Sequence, residues 1–192
     1  MCGADVYVAQ FDEGIQVQPV QPAARQRMID GCADTLGKQQ HYCVWQLLDY
    51  ALKQHCGKGV DELSFAVDGN GKWSCNGGVN FSLSHSGRVV AVALSSSPVG
   101  VDVEAVDGMR FNARLARRIL TDGERTLYDN APQQQQVRLL AEFWTKKESI
   151  FKRDGGKAFA PVATDTTGQN VACKLLEFGK KEMVLAVANI LQ

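Results

Sequence analysis

The chain has 192 residues, 45% of them hydrophobic, which is enough for a substantial core in one domain or in two small lobes sharing an interface. Lysine plus arginine and aspartate plus glutamate both number 21, so no overall basic field points to nucleic acid and any anion site must be local. No stretch approaches the roughly 20 apolar residues a membrane helix needs, and the amino terminus lacks the basic segment and apolar run of a secretory signal.

Val6, Tyr7, Val8 and Phe11 predict a first strand, closed by the stretch Pro19 to Pro22, with a helix starting near Ala23. Val44, Leu47, Leu48, Ala51 and Leu52 recur at helical spacing and predict a longer helix that Gly57 stops. Leu63 to Val67 reads as a strand, Asp68-Gly69-Asn70-Gly71 as a turn, and Phe81 to His85 and Val89 to Leu94 as two short strands broken at Ser86-Gly87. Ser95 to Pro98 is the first plausible boundary, dividing an amino-terminal lobe (1–98) from a carboxy-terminal one (99–192). A strand follows from Val99 to Glu104. Thr121-Asp122-Gly123-Glu124 has the pattern of a capping box and predicts a helix start. Pro132 is placed for the first turn of another helix, in which Val137, Leu140, Ala141, Trp144, Glu148 and Phe151 recur until Gly155-Gly156. Val171 to Phe178, the turn Gly179-Lys180 and Met183 to Ala188 make a closing hairpin. Each half thus runs strand, helices with one long amphipathic member, then a hairpin or short strands: an α+β fold of two similar lobes with pseudo-twofold symmetry and a cleft between them.

The six cysteines, Cys2, Cys32, Cys43, Cys56, Cys75 and Cys173, form no Cys-x-x-Cys pair and no ligand spacing with the three histidines, which argues against zinc. They read as reduced, mostly buried thiols of a cytoplasmic protein. Other residues carry chemistry. Asp102 and Glu104 lie two apart in a strand and project to one side. They are either ligands of a cation or acids guarding an exposed sheet edge. Glu148 and Lys152, four apart, share a helix face, as a routine surface pair or as part of a site. Three carboxylates and an ammonium suit a hard cation such as magnesium carrying phosphates. His85 is either a packed core histidine or, between Ser84 and Ser86, one that holds a phosphate oxygen. Lys72 by itself is an ordinary turn lysine. Neither a Gly-x-Ser-x-Gly elbow nor a cysteine in a catalytic setting supports a hydrolase, and His41 and His55 read as helix-face residues.

In order and spacing, Phe81-Ser82-Leu83-Ser84-His85-Ser86-Gly87, Val99-Gly100-Val101-Asp102-Val103-Glu104 and Phe143-Trp144-Thr145-Lys146-Lys147-Glu148-Ser149-Ile150-Phe151-Lys152 resemble the motifs of the 4′-phosphopantetheinyl transferases of the Sfp type. The resemblance spans about residues 72–160. It implies a monomer of two α+β lobes that transfers the phosphopantetheine arm of coenzyme A to a serine of an acyl or peptidyl carrier protein and releases adenosine 3′,5′-bisphosphate. By the matching positions, Asp102, Glu104 and Glu148 hold magnesium, with manganese left open, and Lys152, Ser84, His85 and Lys72 contact coenzyme A, His85 at its 3′-phosphate. Glu148 and Lys152 are then the catalytic pair, Glu148 as general base. Trp73 follows Lys72 where the family commonly has proline, and Lys38-Gln39-Gln40 stands where it often offers an arginine. The carrier surface is expected between Phe111 and Leu127, where Phe111, Leu115, Ile119 and Leu120 mix with Arg114, Arg117 and Arg118; a plain amphipathic helix would read the same. The alternative function is a non-catalytic module that binds coenzyme A or a carrier protein. It would predict loss of a carboxylate or of Lys152, and none is lost.

Overall fold

The computed structural model describes residues 3–155 and 158–189. Its strands are β1 (Ala4–Gln10), β2 (Phe65–Val67), β3 (Trp73–Cys75), β4 (Asn80–Ser86), β5 (Val89–Ser95), β6 (Val99–Ala105), β7 (Val171–Phe178) and β8 (Lys181–Asn189). Its α-helices are α1 (Ala23–Asp30), α2 (Thr35–Cys56), α3 (Ala113–Ile119), α4 (Asp122–Asn130) and α5 (Gln133–Asp154). β1, β5 and β4 form one antiparallel sheet in that order, and β6, β8 and β7 form another in that order. In both, the last strand of the half lies between the first and the penultimate one. Each sheet is covered by a helix of 22 residues, α2 or α5, that ends on a left-handed glycine, Gly57 at φ 73° or Gly155 at φ 62°. There the glycine N–H closes back on a carbonyl of the last turn, Gly57 on Lys53 and Gly155 on Phe151, in a left-handed backbone that glycine adopts without steric cost.

Local chemistry sets the boundaries. Asp34 caps α2 by accepting from the Gly37 N–H at 2.6 Å. The capping box at α4 is formed as its sequence predicts: the Thr121 hydroxyl accepts from Glu124 N–H, and the Glu124 carboxylate accepts from Thr121 N–H at 3.0 Å. Pro132 precedes the first residue of α5, so the helix begins one residue later than the proline pattern indicates. The expected strand Leu63–Val67 is shorter, because Val60–Glu62 form a turn of 3₁₀-helix ahead of it. Gly156 and Cys2 lie outside the described residues. The expectation of mostly buried thiols fails: of the five described cysteines, all free, only Cys43 is buried, while Cys56 and Cys173 are exposed. Cys56 is the last residue of α2, where the helix leaves the core.

Three apolar clusters hold the molecule. The first packs Val44, Trp45, Leu48 and Leu52 of α2 on Val90, Val92 and Leu94 of β5. The third packs Leu140, Ala141 and Phe143 of α5 with Phe111, Ile119, Leu120 and Val184. The second lies between the two sheets and joins Val89, Ala91 and Ala93 of β5 to Val99, Val101 and Val103 of β6 and to β8. Alternation along β6 therefore sends the valines into this shared core and turns Gly100, Asp102 and Glu104 to the opposite side, toward α5.

Candidate active site

The two halves meet along β4 and β6. These strands exchange no ladder of backbone bonds; serine hydroxyls take that place. Ser82 Oγ accepts from Val101 N–H at 3.0 Å, Ser84 Oγ from Val103 N–H at 3.2 Å and Ser86 Oγ from Ala105 N–H at 3.3 Å. Each hydroxyl keeps a proton to donate, and two give it to the acids of β6: Ser84 to Asp102 Oδ1 at 2.7 Å and Ser86 to Glu104 Oε2 at 2.9 Å. A hydroxyl can accept and donate at once, which a backbone group cannot. The serine positions thus close the seam and aim the carboxylates.

Asp102 and Glu104 are only 4% and 8% exposed, so the reading of β6 as a solvent-facing edge is excluded. α5 completes the arrangement from above. A Cβ placed on Gly100 would lie 1.9 Å from the carbonyl oxygen of Ser149, so the helix rests directly on the strand backbone at a point where only glycine fits. This close approach brings Glu148 and Lys152 over the acids. Lys152 Nζ donates to Asp102 Oδ1 at 2.7 Å and to Ser84 Oγ at 3.0 Å. Asp102 Oδ2 is buried without a partner. Glu104 is gripped on both oxygens by Arg110, Nη2 to Oε1 at 2.5 Å and Nη1 to Oε2 at 2.7 Å.

A cleft of about 360 Å³ is lined by all of Ser84, His85, Asp102, Glu104, Glu148 and Lys152, together with Arg25, His41 and Trp73. The expected site residues other than Lys72 therefore come together. Burial, with the charge of Asp102 next in weight, pushes the Glu148 carboxyl up to about 7; the Lys152 ammonium opposes this. Burial first and then Asp102 also raise Glu104, against the pull of Arg110. Burial of carboxylates in a partly dry cleft, reinforced by repulsion from Asp102, is the cause, and it makes the cleft receptive to positive charge.

The far end of the cleft is basic in composition. Arg25 is 2% exposed, stacks over the Trp45 ring at 5.1 Å and donates to the carbonyl of His41. The His41 ring stands edge-to-face with His85, centroids 5.1 Å apart. Burial pushes His85 down to about 4, with the charges of His41, Lys152 and Arg25 adding to it. His85 is thus held neutral at pH 7 and offers a hydrogen bond rather than a charge. Arg25, His41 and Arg110 were not among the expected site residues. His41, read from sequence only as a helix-face residue, sits three and four residues before Val44 and Trp45 on the buried stripe of α2, a signal that places it on the inner face. Arg110 carries no comparable signal.

Lys72 goes elsewhere. From the loop after β2 its Nζ donates to the carbonyls of Lys152 and Arg153, at 2.8 and 2.9 Å, while Asn70 donates to the carbonyl of Gly155 at 3.2 Å. It caps the carboxy-terminal end of α5, where carbonyls lack helical partners. Lys147, next to Glu148, is fully buried and pairs with the equally buried Glu124 at 2.7 Å, fixing α5 to the start of α4. The surface between Phe111 and Leu127 is also revised. Phe111, Ile119 and Leu120 are buried in the core, so what the segment offers outside is Arg114, Arg117 and Arg118 with the exposed Leu127.

Magnesium takes oxygen ligands and keeps several waters. The donors on this cleft, the orphaned Asp102 Oδ2 among them, fit it in kind. As they stand, no three His, Cys, Asp or Glu side chains among the described residues are gathered closely enough to hold one ion. Lys152 and Arg110 instead occupy two of the three acids.

The family model of the 4′-phosphopantetheinyl transferase superfamily matches residues 98–178. The chain is similar to the 4′-phosphopantetheinyl transferase AcpT of Escherichia coli strain K12, 34% identical over 119 residues, which cover 61% of this chain and 60% of that protein. It is similar to the 4′-phosphopantetheinyl transferase gsp of Aneurinibacillus migulanus, 31% identical over 44% of this chain and 35% of that protein. The corresponding Sfp enzyme of Bacillus subtilis strain 168 is 30% identical over 43% of this chain and 36% of its own length. The chain thus spans about 60% of the length of the AcpT relatives and less of the others. The matched segment, residues 98–178, carries Asp102, Glu104, Glu148 and Lys152.

Proposed function

We propose that the protein transfers the 4′-phosphopantetheine of coenzyme A to a serine hydroxyl of an acyl or peptidyl carrier protein, with magnesium as the metal. The observation that carries this reading is one cleft between the halves that gathers three carboxylates and Lys152 beside a basic end. In the reaction the carrier serine oxygen bonds to the phosphorus of the phosphopantetheine, the diphosphate P–O bond breaks, and adenosine 3′,5′-bisphosphate leaves. Asp102, Glu104 and Glu148 would hold the magnesium, which when bound would supply charge neutralisation for the diphosphate. Lys152 supplies further positive charge where negative charge builds up. Glu148, poised near pH 7, is suited to take the serine proton. His85 offers a neutral hydrogen bond to a phosphate, Ser84 would offer another only on turning its proton away from Asp102, and the exposed arginines of α3 suit an acidic carrier surface.

The boundary of the two lobes near residue 98, a monomeric state, a cytoplasmic location and freedom from nucleic acid and membrane partners belong to the same reading. No helix among the described residues is long and apolar enough to cross a membrane. The test is incubation with coenzyme A, magnesium and a panel of unmodified carrier proteins, weighing the carriers by mass spectrometry. One carrier gains a phosphopantetheine, and Asp102→Ala abolishes the gain. A gain that persists in Asp102→Ala contradicts the role of that carboxylate, and saturable coenzyme A binding with no gain on any carrier favours the binding module.

A further inference from the structure

Of the three acids on the cleft, Glu104 alone has both oxygens on one cation. Arg110 grips them as a two-pronged fork at 2.5 and 2.7 Å, and Ser86 donates to the second oxygen as well. Asp102, by contrast, keeps Oδ2 without a partner. Arg110 comes from neither lobe's regular structure. It lies in the segment between β6 and α3, with its side chain 46% exposed, and rests over the rings of Phe111 and Trp144 at 5.3 and 5.5 Å. Trp144 is one turn of α5 ahead of Glu148. The guanidinium is therefore a wedge of positive charge at the outer rim of the acid cluster, open to water on its far side.

We propose that Arg110 is the resting counter-ion of Glu104 and must leave that carboxylate before a divalent cation can take it, so that Arg110 sets the cation affinity of the site. The inference rests on the reading of Glu104 as a metal ligand. Its physical basis is competition: a fork on both carboxylate oxygens takes up lone pairs and space that a metal ion would need, and two cations on one carboxylate repel in a half-dry cleft. The half-exposed side chain can swing into water, where its charge is well solvated. Serine at the other side of Glu104 remains in place and keeps the carboxylate aimed.

The test is titration of the full chain with manganese ion alone, following free ion by electron paramagnetic resonance, with magnesium as competitor. Arg110→Gln is expected to bind manganese roughly fivefold more tightly than the wild type, the equivalent of an ion pair of about 1 kcal/mol. Arg110→Lys keeps the charge and loses the fork; it is expected to bind about twofold more tightly and covers the case in which the glutamine variant does not fold. Affinities equal to or weaker than wild type in the folded variants overturn the proposal. Glu104→Gln separates the two levels of argument. Binding lost in Glu104→Gln but unmoved in Arg110→Gln removes Arg110 alone, whereas binding that Glu104→Gln leaves intact removes Glu104 from the site and the counter-ion role with it.

Discussion

Gly100→Ala tests the contact on which the whole cleft depends. The added Cβ would lie 1.9 Å from Ser149 O and 2.5 Å from Arg153 N, both backbone atoms of α5, whereas real Cβ contacts essentially never fall below 3.0 Å. No side chain can rotate away to make room, so helix and strand must part by more than about 1 Å, at the cost of about 1–3 kcal/mol typical of overpacked cores. For a chain of this size that lowers the melting temperature by roughly 3–10 °C. The same retreat lifts Glu148 and Lys152 from Asp102, and a misplacement of about 1 Å costs on the order of 100-fold in rate. Calorimetry and the carrier-modification assay read the two effects separately. Gly123→Ala is the control, since that exposed helical glycine has nothing within 4 Å of a new Cβ; it is expected to stabilise by about 0.5–1 kcal/mol. A Gly100→Ala protein that melts and turns over like the wild type refutes the claim that α5 rests on the β6 backbone.

Lys147→Met leaves Glu124 charged, buried and without its cation, and is expected to cost about 3–5 kcal/mol in denaturant titrations. The double variant Lys147→Met with Glu124→Gln should recover much of that loss, since the orphaned charge is gone. Lys72→Met removes the ammonium from the last carbonyls of α5, costs about 1–2 kcal/mol and speeds hydrogen exchange in the final turn; a variant that raises the KM for coenzyme A with unchanged exchange would instead place Lys72 on the ligand. His85 binds its proton only near pH 4 when folded but near 6.5 when unfolded. Between those values the unfolded chain holds more protons, so this residue makes stability fall as pH drops from about 6.5 to 4. Glu148, held up near 7 against an ordinary 4.5, acts in the opposite direction and makes stability rise as pH falls through that window. Melting curves should therefore show His85→Gln gaining relative to wild type on acidification and Glu148→Gln losing; parallel pH profiles for all three proteins count against both burials.

Much of the fold is legible in the chain because its long elements announce both their faces and their ends. The stripe of Val44, Leu48, Ala51 and Leu52 and the glycine at 57 define α2, and the stripe through Leu140, Ala141 and Trp144 and the glycine at 155 define α5. The acids of β6 are legible for the same reason, since a period of two forces Asp102 and Glu104 to one side. What sequence spacing does not carry is which cation meets which acid. Arg110 reaches Glu104 from an irregular segment with no periodicity to fix its direction, and Lys72, also in a loop, turns to the α5 carbonyls. Phe111, Ile119 and Leu120 look like docking residues in sequence because an apolar stripe is identical whether it faces a partner or the protein's own core. The motif around Lys147 poses the same ambiguity: two adjacent lysines are alike in composition, yet one is fully buried on Glu124.

The serines of β4 explain why this site must sit at the junction rather than within either half. A β6 paired on both sides by backbone would have its N–H groups satisfied by carbonyls, which have no proton to pass on. With Ser82, Ser84 and Ser86 as partners, the N–H groups of Val101, Val103 and Ala105 are satisfied and the hydroxyl protons remain for the acids. Small residues are required for this twice over, because β6 also packs its valines on Ala91 and Ala93 of β5. Larger side chains at either set would hold the sheets apart, and the carboxylates would then meet water instead of each other. The raised proton affinity of Glu148 comes first from its burial in the cleft and then from the nearby charge of Asp102, and both follow from the close meeting of the two halves.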